Sequence, residues 1–137
     1  MIFLDTNVII DLFSDGRGAE AAWSLARYGD AVAAGAVVCN QIVLAELAGH
    51  APGVSALRDR LDRLEIRIMS FADDAAFSAG SAFREYRRRG GAKTAILADL
   101  LIAGHAAVLG ASLVTRDRQL ATYFPDLTLI TPETHHG

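Results

Sequence analysis

Along the chain, short unbroken apolar runs alternate with apolar positions at helical spacing. Ile2-Phe3-Leu4 predicts a buried strand. Thr6 then predicts the cap of a helix from Asn7 to about Phe13. After a glycine-containing turn, SDGRG, residues 19–28 predict a second helix with Trp23 and Ala26 on its inner side. The small-residue run AVAAGAVVC predicts a strand ending near Val38. Gln41–His50 then reads as a helix capped by Asn40, and Pro52-Gly53 breaks the chain. Val54, Leu57, Leu61 and Leu64 mark a helix over 54–64, and IRIMSF alternates as a third strand. Ala72–Arg88 predicts a long helix, with Asp73 and Asp74 in its first turn and Arg87 and Arg88 in its last, complementing the helix dipole. Gly90-Gly91 ends it. Thr94–Leu109 predicts a very apolar helix, SLVT a fourth strand, Arg118–Tyr123 a short helix and LTLI a fifth strand.

This alternation predicts an α/β fold: a mostly parallel sheet of four or five strands covered by helices on both faces. In such sheets ligands bind outside the C-terminal ends of the strands. The 137 residues, 52% apolar and 21% charged, suit one globular domain, taken as residues 1–134. Residues 135–137 are expected to be a tail, disordered or left over from expression, and His135 and His136 are given no role. A formal charge of −3 does not announce a polyanionic partner, so any nucleic-acid surface has to be a local basic patch. The one cysteine, Cys39, cannot form an intrachain disulfide and fits a reducing compartment. With no leader-like segment and no run long enough to span a bilayer, a cytoplasmic protein without a membrane role is expected.

Four acids stand out by position. Asp5 follows the first strand and Asp117 the fourth. Glu46 lies within QIVLAELAG, and Asp99 within AILADLLIAGHAAVLG. Each has a bland reading: Asp5 as a helix cap, Glu46 as the partner of His50, Asp117 as a surface turn residue. Asp99 is the hardest to explain that way, being the one charged residue between Ala95 and Gly110. A carboxylate among apolar neighbours costs several kcal/mol unless it is compensated. One polar cleft shared by all four, with a hard divalent cation, would offset that cost, and oxygen-only ligation suits Mg²⁺ or Mn²⁺. Ile96, Asp99, Ala103 and Ala106 fall on one helix face, so Asp99 can approach a sheet edge carrying Asp5 and Asp117.

DTNVIIDLF, IVLAELAG, DLLIAGHA and LVTRDRQLATYFPDLTLITP together resemble the PIN-domain family, most closely the VapC-type toxins of bacterial toxin–antitoxin pairs. The likeness runs almost end to end and is least diagnostic between Ala51 and Arg89. It implies a PIN-like three-layer fold and a Mg²⁺-dependent endoribonuclease, with Mn²⁺ as substitute. Asp5, Glu46, Asp99 and Asp117 fall on the family's acidic cluster, Thr115 on its hydroxyl and Asn7 on the polar residue after the first aspartate. The metal would be held by Asp5, Asp99 and Asp117, and a metal-activated water would leave 5′-phosphate and 3′-hydroxyl ends. The likeness also implies a cognate antitoxin, a homodimer, and contact with operator DNA only through the antitoxin complex.

From Arg84 to Arg118 there are seven cations against Glu85, Asp99 and Asp117, and Arg88, Lys93 and Arg116 are the expected RNA contacts. Leu12, Phe13, Trp23 and Leu25 read as core, or as a groove for an antitoxin helix. The rival readings are a non-catalytic PIN-like binding module, a structure-specific DNA nuclease and a phosphoaspartyl hydrolase; the last begins with strand–DxD, where this chain has Asn7. Catalysis by His50 or His105 and a zinc site both lack the expected context, since His105 sits among small residues and no cysteine–histidine spacing occurs.

Overall fold

The computed structural model describes residues 1–93 and 96–136, without the side chains of Arg118, Leu120 and Ala121. The chain runs β1 (Ile2–Leu4), α1 (Thr6–Phe13), α2 (Ala19–Ala34), β2 (Val37–Asn40), α3 (Gln41–Glu46), a 3-10 turn (Ala48–His50) and α4 (Val54–Arg63). It continues through β3 (Ile66–Met69), α5 (Asp73–Arg88), α6 (Ile96–Leu109), β4 (Ser112–Val114), a 3-10 helix (Arg118–Tyr123) and β5 (Leu129–Ile130). The strands form one sheet in the order β3-β2-β1-β4-β5, and every neighbouring pair is parallel. All the C-terminal strand ends therefore share an edge. The chain builds outward from β1 on one side and resumes at β4 on the other, so the topological switch point lies between β1 and β4.

β1 is central, and Phe3 and Leu4 are fully buried. The core spreads from them through Val38 and Leu113 on the flanking strands to Ile9 of α1, Leu61 of α4, and Leu100 and Ile102 of α6. Cys39 is buried and free, and removal from water pushes its thiol up to about 12. Among the described residues, no helix is long and apolar enough to cross a membrane.

Several boundaries differ from the sequence reading. α2 continues through Ala31–Ala34, where a strand was expected, and β2 begins only at Val37. Alanine favours helix, so the run extends α2 until Gly35 adopts φ 156° and stops it, and strand starts with the β-branched Val37-Val38. α3 ends at Glu46, short of the expected His50. Asp5 rather than Thr6 caps α1. The expected start of α6 at Thr94 lies outside the described residues. The tail is packed through His135, whose carbonyl accepts from Trp23 Nε1 at 2.6 Å and from Arg27. Trp23 is core, whereas Leu25 faces solvent.

α5 packs along α6 through small residues, including Ala75, Ala79 and Ala82 on α5. A Cβ on Gly104 would lie 3.2 Å from the backbone nitrogen of Ala79. Gly104→Ala improves helix propensity by about 1 kcal/mol. Forcing the helices apart costs about 1–3 kcal/mol. The helix backbone of α5 cannot yield locally, so the variant is expected to melt below the parent; an equal or higher melting temperature would show that the two helices slide apart without loss.

Candidate active site

Asp5 begins where β1 ends. Its backbone N–H donates to the carbonyl of Val114, the last residue of β4, at 3.0 Å, which fixes it at the switch point. The side chain is 4% exposed and fully engaged. Oδ1 accepts from the backbone N–H of Thr6 at 2.7 Å, capping α1. Oδ2 accepts from Thr115 Oγ1 at 2.6 Å and from Asn7 Nδ2 at 3.3 Å. Asp5 is thus a helix cap.

Thr115 is fully buried and bridges two acids. Its hydroxyl donates to Asp5 and accepts from the backbone N–H of Asp117 at 3.0 Å. Asp117 folds its own Oδ1 back to the N–H of Gln119 at 2.9 Å. Asn7 ties the same loop from the other side, its Oδ1 accepting from the N–H of Arg116 at 3.3 Å. Thr6 Oγ1 donates to Glu46 Oε1 at 2.6 Å, bringing the end of α3 to the start of α1. Glu46 is exposed, not embedded in core as its apolar neighbours suggested. It is the last residue of a helix only six residues long, whose buried position is Val43.

Asp99, in the first turn of α6, is only partly exposed. Burial, followed by the charges of Asp5, Asp117 and Glu46, raises its carboxyl to about 6. Asp5 is likewise raised, chiefly by burial and further by Glu46 and Asp117, against the opposing hydrogen bonds from Thr115 and Thr6. Four carboxylates from β1, α3, α6 and the loop after β4 therefore feel one another across a single space. The repulsion is the physical mark of a site that gains from a cation.

Among the described residues, no three histidine, cysteine or carboxylate side chains are arranged to cage a metal ion as they stand. The donor set nevertheless fits Mg²⁺, which keeps several waters and takes one or two carboxylates rather than a closed protein cage. His105 is packed, as expected: it is 1% exposed, lies edge-on between Phe3 and Phe71, and burial lowers its pKa. His50 is exposed at the end of its 3-10 turn.

The three expected RNA contacts fare differently. Arg88 and Lys93 are exposed around the C-terminal end of α5. Arg116 follows Thr115 directly, but its guanidinium is held by Asp11 of α1, with Nε to Oδ2 at 3.0 Å, and by Glu20 of α2 at 3.0 Å. It braces the first two helices instead of standing free. Sequence reasoning overlooked the Asp11–Arg116–Glu20 cluster and the Thr6–Glu46 bond, because both join residues far apart in the chain.

The class the fold defines is a parallel α/β protein with an acid cluster at the switch point of its sheet. The PIN-domain family profile matches residues 2–123. The chain belongs to the PIN-domain family. No curated protein matches it. Among solved structures it is similar to VapBC-1 from nontypeable Haemophilus influenzae, with 23% identity, a TM-score of 0.70, and 96% of this chain and 98% of that one covered. VapBC2 from Rickettsia felis, solved bound to a fragment of its promoter DNA, gives 24% identity and a TM-score of 0.67 over the same shares of the two chains. FitAcB from Neisseria gonorrhoeae gives 24% and 0.66, covering 98% of this chain and 100% of that one.

Proposed function

We propose that this chain is the ribonuclease toxin of a VapC-type toxin–antitoxin pair, a Mg²⁺-dependent endoribonuclease for which Mn²⁺ serves as substitute. The observation that carries the reading is Asp5: a buried carboxylate at the switch point, wired to Thr115 and within electrostatic range of Glu46, Asp117 and Asp99. A purely structural cap would not need those neighbours.

Asp5, Asp99 and Asp117 are the residues that would hold the ion, one or two of them directly and the rest through its waters. When bound, it supplies Lewis-acid polarisation of a phosphoryl oxygen and acidifies water for attack. Thr115 fixes the orientation of Asp5 and the loop bearing Asp117 through its one hydroxyl. Asn7 holds the Asp5 and Arg116 loops together. Glu46, at the solvent boundary, is placed to orient water entering the cleft. Hydrolysis by water leaves 5′-phosphate and 3′-hydroxyl ends.

The similar structures were solved as toxin–antitoxin complexes, some with DNA, which supports a cognate antitoxin and operator contact through it. A homodimer and a cytoplasmic setting complete the reading. The test is to incubate antitoxin-free protein with a mixed RNA pool and Mg²⁺ or Mn²⁺, with and without chelator. Cleavage that needs the ion and leaves 5′-phosphates supports the proposal. Cleavage that persists in chelator contradicts the mechanism, and an intact pool favours the non-catalytic binding module.

A further inference from the structure

The end of α5 carries an arrangement that the acidic site does not use. Arg89 Nε is held by Glu85 Oε1 at 2.9 Å, and its guanidinium lies 5.4 Å from the ring centre of Tyr123. The Arg89 side chain is 55% exposed, so it remains open to solvent even with these two partners. Behind Tyr123 stands Tyr86, edge-on at 6.1 Å. Tyr86 is itself locked in place: its hydroxyl accepts from the N–H of Lys93 at 3.0 Å, and Gly91 sits so close to its ring that a Cβ would fall 2.3 Å away. Beside this group opens a cleft of about 460 Å³, lined by Ser78, Ser81, Glu85, Arg89, Tyr123 and Phe124 among others.

We propose that this cleft is a nucleobase subsite for single-stranded RNA next to the acidic site, with the Arg89 guanidinium as its stacking face. The inference rests on the ribonuclease reading and extends it to how the strand is held. Three observations favour RNA as the occupant. First, residues 84–93 hold five cations against Glu85 alone, in a chain whose formal charge is −3. That is local complementarity to a polyanion. Second, the cleft combines a planar cation and an aromatic ring with two serine hydroxyls and a carboxylate. Unpaired bases are stacked on such planes and hydrogen-bonded at their edges. Third, residues lining the cleft belong to elements that also carry or flank the acids. Asp117 immediately precedes the 3-10 helix that ends at Tyr123, a rise of about 2 Å per residue. Arg89 caps the end of α5, which packs along α6, whose first turn holds Asp99.

Glu85 pairs with Arg89 and, at 3.4 Å, with Arg88, which favours one orientation of the Arg89 guanidinium. The decisive variant is Arg89→Lys, which keeps the charge and removes the planar face. The probe is a single-stranded oligoribonucleotide carrying 2-aminopurine, whose fluorescence is quenched on stacking, measured in chelator so that cleavage is off. The parent is expected to quench the probe. Arg89→Lys is expected to lose the quench and bind about tenfold more weakly, with the salt slope unchanged because no charge is lost. Tyr123→Phe should behave as the parent, and Tyr123→Leu as Arg89→Lys. Equal affinity and quenching in parent and Arg89→Lys overturn the proposal and leave the surface to a protein partner. Absence of quenching by the parent overturns it as well. Quenching by a parent that cleaves nothing sinks the ribonuclease reading while the subsite stands.

Discussion

Asp5→Asn is expected to reduce RNA cleavage by about a thousandfold while the protein stays folded. A bound metal contributes several kcal/mol to charge stabilisation in phosphoryl chemistry, and each 1.4 kcal/mol is tenfold in rate. Asparagine matches aspartate in size, and its amide oxygen can still accept from Thr6, so the cap on α1 survives. What disappears is the negative charge. Burial and the neighbouring acids oppose that charge in the metal-free protein, whereas the bonds from Thr115 and Asn7 favour it, so the variant's melting temperature without metal should stay close to the parent's. Loss of cleavage in a variant that melts like the parent marks Asp5 as a ligand. Were it a cap alone, cleavage rates and melting temperatures would both stay near those of the parent.

The second large effect is on stability and comes from Asn40. This side chain, at the end of β2, is fully buried. Its Oδ1 accepts from the N–H groups of Ile42 and Val43 at 3.0 and 3.1 Å, capping α3. That fixes the amide orientation, so Nδ2 donates to Nδ1 of His105 at 3.1 Å. The ring is therefore the tautomer with its proton on Nε2. Asn40→Ala loses a cap worth about 1 kcal/mol. It also leaves a buried ring nitrogen without its donor, a further 1–3 kcal/mol or so. Together they predict a fall in melting temperature of roughly 10 °C. Asn40→Asp keeps the capping oxygen but buries a carboxylate against the ring nitrogen, and should melt no higher than the alanine variant. Thermal denaturation of the three proteins checks the order. A parent-like alanine variant would mean that α3, and with it Glu46, is anchored by other contacts.

The parallel sheet and the placing of Asp5 and Asp117 at one edge were legible in the sequence because Asp5 directly follows an apolar run and Asp117 comes three residues after the apolar Leu113-Val114. Asp99 was legible because nothing else charged occurs along its helix. The setting of Glu46 was not. Apolar neighbours suggested burial, but a six-residue helix buries little, and its last residue faces out. The reach of α2 was misread because alanine runs carry no strand or helix period, so the stop depended on the backbone of Gly35. Arg116 looked like a free cation beside the site, since neither Asp11 nor Glu20 is near it in sequence. The cation–ring contact of Arg89 with Tyr123 is hidden for the same reason: it joins the end of α5 to a segment more than thirty residues on.

The central claim is that acids from separate elements hold one kind of ion, and Mn²⁺ binding followed by titration calorimetry tests it most directly. The parent, Asp5→Asn and Asp99→Asn are titrated under the same conditions, with Asp30→Asn as an exposed control on α2. The account predicts Mn²⁺ binding by the parent and the control, and its loss or severe weakening in both site variants, although Asp5 follows β1 and Asp99 lies on α6. Parent-like Mn²⁺ affinity in either site variant would contradict it.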